Sequence, residues 1–112
     1  MISLTLDYPP SGNRYWRHVG SRVLVSREAR AYREKVRLTN LRARPIPGDV
    51  LVVVRVYRPR RAGDLDNCLK VTLDALRGVA FVDDSQVVEL RASRHDDKVR
   101  PRVEVEVSAV AA

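Results

Sequence analysis

Hydrophobic and polar positions alternate strictly at the two ends of this chain. Ile2, Leu4 and Leu6 alternate with polar neighbours, as do Val103, Val105 and Val107. A period of two reads as a half-buried strand in each place. Between them Val50 to Tyr57 is a run rich in β-branched residues, which predicts a central, well-buried strand. Arg22 to Val25 predicts a short strand, and Gln86 to Arg94 a longer one. The period changes to a helical one from about Arg27 to Arg42, where Ala29, Tyr32 and Val36 fall on one face of a highly charged segment. Ser26 is a candidate N-cap, and Pro45 and Pro47 close that segment. A second helix carries Leu65, Leu69, Leu73 (or Thr72) and Leu76 on one face and ends at Gly78. Pro9-Pro10-Ser11-Gly12-Asn13 reads as a loop, Val82-Asp83-Asp84-Ser85 as a turn, and His95 to Arg100 as a polar loop. The order strand, helix, strand, helix, strand, strand predicts an α+β fold, a mixed α/β sandwich. With 112 residues and no repeat or linker, residues 1–112 form a single domain.

Charge changes the picture most. The formal net charge is +7, but residues 1–61 hold 14 Lys and Arg against 4 Asp and Glu, a net of 14 − 4 = +10. Residues 62–112 hold 7 against 10, a net of 7 − 10 = −3. A basic half beside an acidic half suits a protein that grips a polyanion with one part and holds a metal with the other. Cys68 is the only cysteine, so no intramolecular disulfide forms, and with two histidines it cannot assemble a structural zinc set. The N-terminus lacks the features of a signal peptide and no apolar run approaches the ~20 residues of a membrane span. These features point to the cytoplasm, in association with the nucleoid, with no membrane partner.

The acidic constellation begins at Asp64-Leu65-Asp66-Asn67, with Lys70 four residues after Asp66 and Asp83-Asp84 downstream. In extended chain Asp64 and Asp66 point to one side. Once a helix begins, Asp66 and Lys70 share a face. Crowded carboxylates suit a hard divalent cation such as Mg2+, which takes oxygen ligands and keeps several waters. The plainer readings are a helix cap at Asp64 and Asp66, a surface ion pair between Asp66 and Lys70, and a turn at Asp83-Asp84-Ser85. Asp83 and Asp84, being adjacent, point opposite ways in extended chain, so one of them joins a site. Lys70 is one of three lysines among 21 basic residues, a compact point charge in a chain that otherwise uses Arg. Cys68 reads as a core residue, His18 as solvated or DNA-contacting, and Tyr15 and Trp16 as packing or as platforms for base stacking.

The run Arg61-Ala62-Gly63-Asp64-Leu65-Asp66-Asn67-Cys68-Leu69-Lys70, then Asp74-Ala75-Leu76 and Asp83-Asp84-Ser85-Gln86-Val87, resembles the RusA family of Holliday junction resolvases. Pro9-Pro10-Ser11-Gly12-Asn13-Arg14-Tyr15-Trp16-Arg17 and Val25-Ser26-Arg27-Glu28-Ala29-Arg30-Ala31-Tyr32-Arg33 carry the same likeness, in the same order. The resemblance implies a small mixed sheet with two helices packed on it. It implies catalytic aspartates at Asp64, Asp66 and Asp84, with these three as metal ligands, and an essential Lys70. It further implies a homodimer that uses Mg2+ and no small-molecule cofactor to cut four-way junction DNA by paired incisions, in recombination and repair, often from a phage or prophage. Arg14, Arg17, Arg58, Arg60 and Arg61 are the candidates for phosphate-backbone contact, supplying affinity with little sequence information. Two other classes stay open: a different metal-dependent, structure-specific nuclease, and a non-catalytic basic DNA-binding module.

Overall fold

The computed structural model describes residues 1–10, 16–19, 22–25, 27–60 and 65–110, with only the backbone of 16–19, 22–25, 66 and 67. In chain order the elements are β1 (Ile2–Asp7), β2 (Trp16–Val19), β3 (Arg22–Val25), α1 (Arg27–Thr39), β4 (Val50–Arg58), α2 (Leu65–Leu76), a 3-10 turn (Asp84–Gln86), β5 (Val87–Asp96) and β6 (Arg102–Ala109). The main sheet is mixed, in the order β1-β6-β4-β5. β6 runs antiparallel to both β1 and β4, whereas β4 and β5 are parallel. This is the small α+β fold expected, with two helices beside one mixed sheet. β2 and β3 form a separate antiparallel hairpin, so the stretch Trp16–Val19 is a strand and not the undefined segment expected.

β4 explains the core. Val50, Val52, Val54 and Val56 are fully buried on one face, and the residues between them are half-buried on the other. Each buried valine contributes about 1.5–3 kcal/mol of hydrophobic stabilisation. Val103, Val105 and Val107 of β6 and Leu6 of β1 continue the same layer. β4 is thus the central, well-buried strand expected, fully buried on one face and half-buried on the other.

α1 buries Ala29, Tyr32 and Val36, the three residues its pattern selects. It stops at Thr39 and not near Arg42. The Thr39 hydroxyl donates to the Lys35 carbonyl (2.8 Å) and the Asn40 amide to that of Val36 (2.8 Å). These side chains satisfy the last-turn carbonyls before the prolines are reached. α2 departs further from its pattern. Its buried residues are Cys68, Val71, Thr72, Ala75 and Leu76, while Leu65, Leu69 and Leu73 only flank the core. The positions i, i+3, i+4, i+7 and i+8 form the covered stripe, which keeps Thr72 and Leu76 of the expected face and leaves the other leucines at its margin.

The crossover from β4 to β5 sets the two ends of the molecule. Phe81, fully buried, bridges both Ile46 and Arg77, so the C-terminus of α2 lies beside the start of β4. At the other end the Cys68 thiol lies 3.6 Å from the hydroxyl of Tyr8, which follows β1. The β1-β6-β4 register puts Asp7 and Tyr57 at the same level, both opposite Arg102. α2 therefore runs from the Arg58 end of the sheet back to the Val50 end. β5 then starts level with Val50. It begins at Val87, one residue later than expected, because Gln86 belongs to the 3-10 turn, and it continues to Asp96. Among the described residues no helix is long and apolar enough to cross a membrane.

Candidate active site

The two ends of α2 carry the chemistry. At the Arg58 end, Asp66 stands in the first turn of α2 and exposed Lys70 one turn later. Tyr8 lies against Cys68 of the same helix, its hydroxyl pushed up to about 12 by burial and by its hydrogen bond with Cys68. Arg58 and Arg60 oppose that rise, which places their charges near Tyr8. Arg60 is exposed. Arg58 is 8% exposed, and its guanidinium meets the Asp96 carboxylate at 2.9 and 3.1 Å. The expected surface contact at Arg58 is thus corrected. β4 extends through this residue, turns it inward, and uses it to join β4 to β5. Asp64, Arg14 and Arg61 lie outside the described residues, as does Ser26, and for Arg17, His18, Trp16 and Asp66 only the backbone is described.

At the Val50 end, the 3-10 turn carries Asp84 and Gln86, with Asp83 as its N-cap. Asp83 is committed: the Ser85 hydroxyl donates to it at 2.7 Å and Arg77 lies 3.3 Å away. The Ser85 hydrogen bond, helped by the Arg77 charge, holds its carboxyl below the usual range. Asp84 is exposed and makes no ion pair among the described residues. Its charge raises Asp74 on the last turn of α2, an effect secondary to desolvation of Asp74 itself. Gln86 fixes the turn. Its amide oxygen accepts the backbone N–H groups of Val82 (2.7 Å) and Asp83 (2.9 Å). Its amide nitrogen donates to the carbonyls of Ile46 (2.7 Å) and Gly48 (2.6 Å). All four hydrogen-bonding positions of this side chain that matter locally are used, and the motif that flagged the aspartates did not reveal it as their support.

These two ends do not meet within one chain. From Asp66 to Leu76 the helix rises ~15 Å, and β4 from Val50 to Arg58 spans ~26 Å. A divalent ion of the magnesium type holds its oxygens at about 2.0–2.1 Å. Along one chain the backbone therefore carries Asp66 and Asp84 at opposite ends of α2. The parallel pairing of β5 with β4 is the cause, since it returns the chain to the start of β4 after α2 has left its end. No group of three His, Cys, Asp or Glu suited to a metal occurs among the described residues. The donor chemistry nevertheless favours a hard cation. Cys68 is buried against Tyr8, and His95 stacks on Tyr57 with ring centroids 4.9 Å apart, so exposed carboxylates are what the acidic segments offer.

A small basic α+β protein with acidic residues at both ends of a crossover helix has the makings of a nucleic-acid-cleaving enzyme. Comparison with known proteins makes this definite. The Endodeoxyribonuclease RusA family matches residues 7–108. The chain is 42% identical over 99 residues to the crossover junction endodeoxyribonuclease rusA of Enterobacteria phage 82, covering 79% of this chain and 78% of that protein. It is 44% identical over 94 residues to crossover junction endodeoxyribonuclease RusA of Escherichia coli K12, covering 80% and 78%. The protein of that name from Shigella sonnei is 43% identical over 94 residues, covering 80% and 78%. The chain belongs to the RusA endodeoxyribonuclease family. It is a nuclease, a hydrolase of phosphodiester bonds.

Proposed function

We propose that this nuclease resolves four-way DNA junctions with the help of Mg2+, as a homodimer whose two active sites are each built from both copies. The observation that carries the reading is the placement of Asp66 and Lys70 one turn apart on α2, at the Arg58 end, with Asp84 fixed at the opposite end. Asp64 and Asp66 from one copy and Asp84 from the other would hold the ion. A two-fold axis that brings one such pair together brings the second together as well, since a C2 contact is self-complementary. A four-way junction has approximate two-fold symmetry, so opposed strands would meet identical sites. That also accounts for paired incisions.

The chemistry divides among the residues. Bound Mg2+ supplies a lowered pKa for water and a counter-charge for the phosphate. Lys70 places an ammonium beside the scissile phosphate and offsets charge that develops on it. Asp83 stays with Arg77 and Ser85 and holds the turn from which Asp84 projects. Arg14, Arg17, Arg60 and Arg61 grip flanking phosphates, while Arg58 braces the sheet beneath them. The setting is DNA recombination and repair in the cytoplasm, at the nucleoid or on phage DNA.

The test is cleavage of a synthetic four-way junction and of a linear duplex of matched sequence, with Mg2+ and with EDTA. Paired cuts confined to the junction and abolished by EDTA are expected. Equal cutting of the duplex would instead assign a nuclease without junction preference, and cutting in EDTA would remove the metal from the reading.

A further inference from the structure

α1 and α2 flank a groove of about 330 Å³ whose walls carry Arg30, Arg33, Glu34 and Arg37 from α1, Asp74 from α2 and Arg77 just beyond its end. The three α1 arginines fall at i, i+3 and i+7, one stripe along the helix. The stripe cannot rotate away, because Ala29, Tyr32 and Val36 anchor the neighbouring face in the core. Two of the four guanidiniums are neutralised by nearby carboxylates: Arg37 pairs with Glu34 and Arg77 with Asp83. Arg30 and Arg33 are exposed and have no ion pair among the described residues. Like charges at this spacing destabilise a bare helix, and an anion in the groove would reverse that.

We propose that this groove binds the sugar-phosphate backbone of a duplex arm of the DNA substrate, and so guides the arm away from Asp84. The proposal rests on the nuclease reading above and extends its contact surface beyond the arginines near the Arg58 end. Dimensions agree with it. From Arg30 to Arg37 the helix rises ~10.5 Å, matching about three phosphates of one strand at 3.4 Å each along the duplex axis. Position agrees as well, since Asp74 in the groove wall feels the charge of Asp84. An arm leaving the proposed site along α2 would lay the backbone of one strand against these walls. Contacts of this kind add affinity and register without reading bases.

The experiment compares the full chain with an Arg30→Gln/Arg33→Gln double variant and with Lys98→Gln/Arg100→Gln, which removes the same charge from the exposed β5–β6 loop. Binding to a four-way junction is measured across a salt series in Ca2+, with sedimentation and circular dichroism as controls. The groove variant should bind about tenfold more weakly near 0.1 M salt and show a log–log salt slope shallower by ~1.8, the release expected for two phosphate contacts. Its cutting rate at saturating junction in Mg2+ should stay within about twofold of the parent. The loop variant should keep most of the parent slope. Three results would overturn the proposal: an unchanged slope in the groove variant, equal losses in both variants, or a shift of the groove variant to monomer that assigns the groove to a second copy. If the unaltered protein cuts no junction yet its binding still depends on Arg30 and Arg33, the resolvase reading falls and the groove stands.

Discussion

The two ends of α2 hold similar residues in opposite circumstances. At the Arg58 end, Asp66 and Lys70 stand on regular helix that also carries the part-buried contact of Cys68 with Tyr8, and the charges of Arg58 and Arg60 reach that contact. At the Val50 end, Asp83 caps and Asp84 opens a short 3-10 turn held by one glutamine, and Asp84 lies within electrostatic reach of another carboxylate, Asp74. One end is supported by a helix and a core, the other by side-chain hydrogen bonds. Acidic residues near one another in sequence are thus carried at opposite ends of α2.

The largest expected effect tests that separation. Asp66→Asn and Asp84→Asn homodimers should each lose junction cleavage by 10²-fold or more while still binding the junction, by analogy with the loss of one transition-state-stabilising group. Mixed in equal amounts and allowed to exchange, they should recover nicking. Half of the randomly paired dimers then carry one intact site, so about a quarter of the parent's sites return. Mn2+ bound, read by electron paramagnetic resonance, should recover in parallel. No recovery in a mixture shown to exchange subunits would place both aspartates in one copy's site and break the comparison.

Gln86→Ala should come next. It leaves the carbonyls of Ile46 and Gly48 and the N–H groups of Val82 and Asp83 without their partner. Loss of this bracket should cost about 1–3 kcal/mol of unfolding free energy, read by chemical denaturation. Cleavage should fall more than junction binding, since the turn that presents Asp84 loosens while the basic surface is untouched. Equal loss of both would show that Gln86 supports the fold in general and not the turn.

Tyr8→Phe probes the other end and should cost less, about 0.5–1.5 kcal/mol for one hydrogen bond. Its signature is at alkaline pH. In the folded protein Tyr8 ionises only near 12, above the ordinary value of 10.0, because burial and Cys68 favour the neutral phenol. The unfolded chain releases that proton first, so the contribution of Tyr8 to stability is present below about pH 10 and is lost as pH rises towards 12. The variant should lose one late step in the ultraviolet titration of its tyrosines and show a flatter decline of stability over this interval.

The smallest effect lies away from both ends. Glu104 accepts from Arg102 at 3.1 Å and Arg55 at 3.2 Å, and those hydrogen bonds keep its carboxyl below 4.5. A carboxylate with a depressed folded value stabilises above the unfolded value and loses that contribution as pH falls through the folded one. Glu104→Gln should therefore change the melting temperature little at pH 3 and lower it slightly at pH 7. The size should stay within the range of about 0–1 kcal/mol for surface pairs.

How well each element could be read follows from how many answers its residues allowed. α1 has so few apolar residues that Ala29, Tyr32 and Val36 could form only one face, and that face is buried. α2 is apolar nearly all round, so its leucines suggested one stripe while packing against the sheet selected another through Cys68, Val71 and Ala75. Arg58 belongs to a basic run with every mark of a surface, yet one further residue of strand turned it inward onto Asp96. Asp84 was preferred to Asp83 on resemblance, and the ties of Asp83 to Arg77 and Ser85 supply a physical ground for the same choice.

The sequence by itself determined the inventory and the local geometry: strands of period two, a charged helix, an Asp and a Lys one helical turn apart, a basic half, and membership of a nuclease family. These depend on backbone periodicity and on neighbours a few residues away. Only the tertiary structure decided the distances between distant segments. The parallel partnership of β5 with β4 is a long-range choice, made by burial of valines from β4 and β6 and of Phe81 from the crossover. It sends Asp84 to the far end of the helix from Asp66 because a parallel strand must return to where its neighbour began.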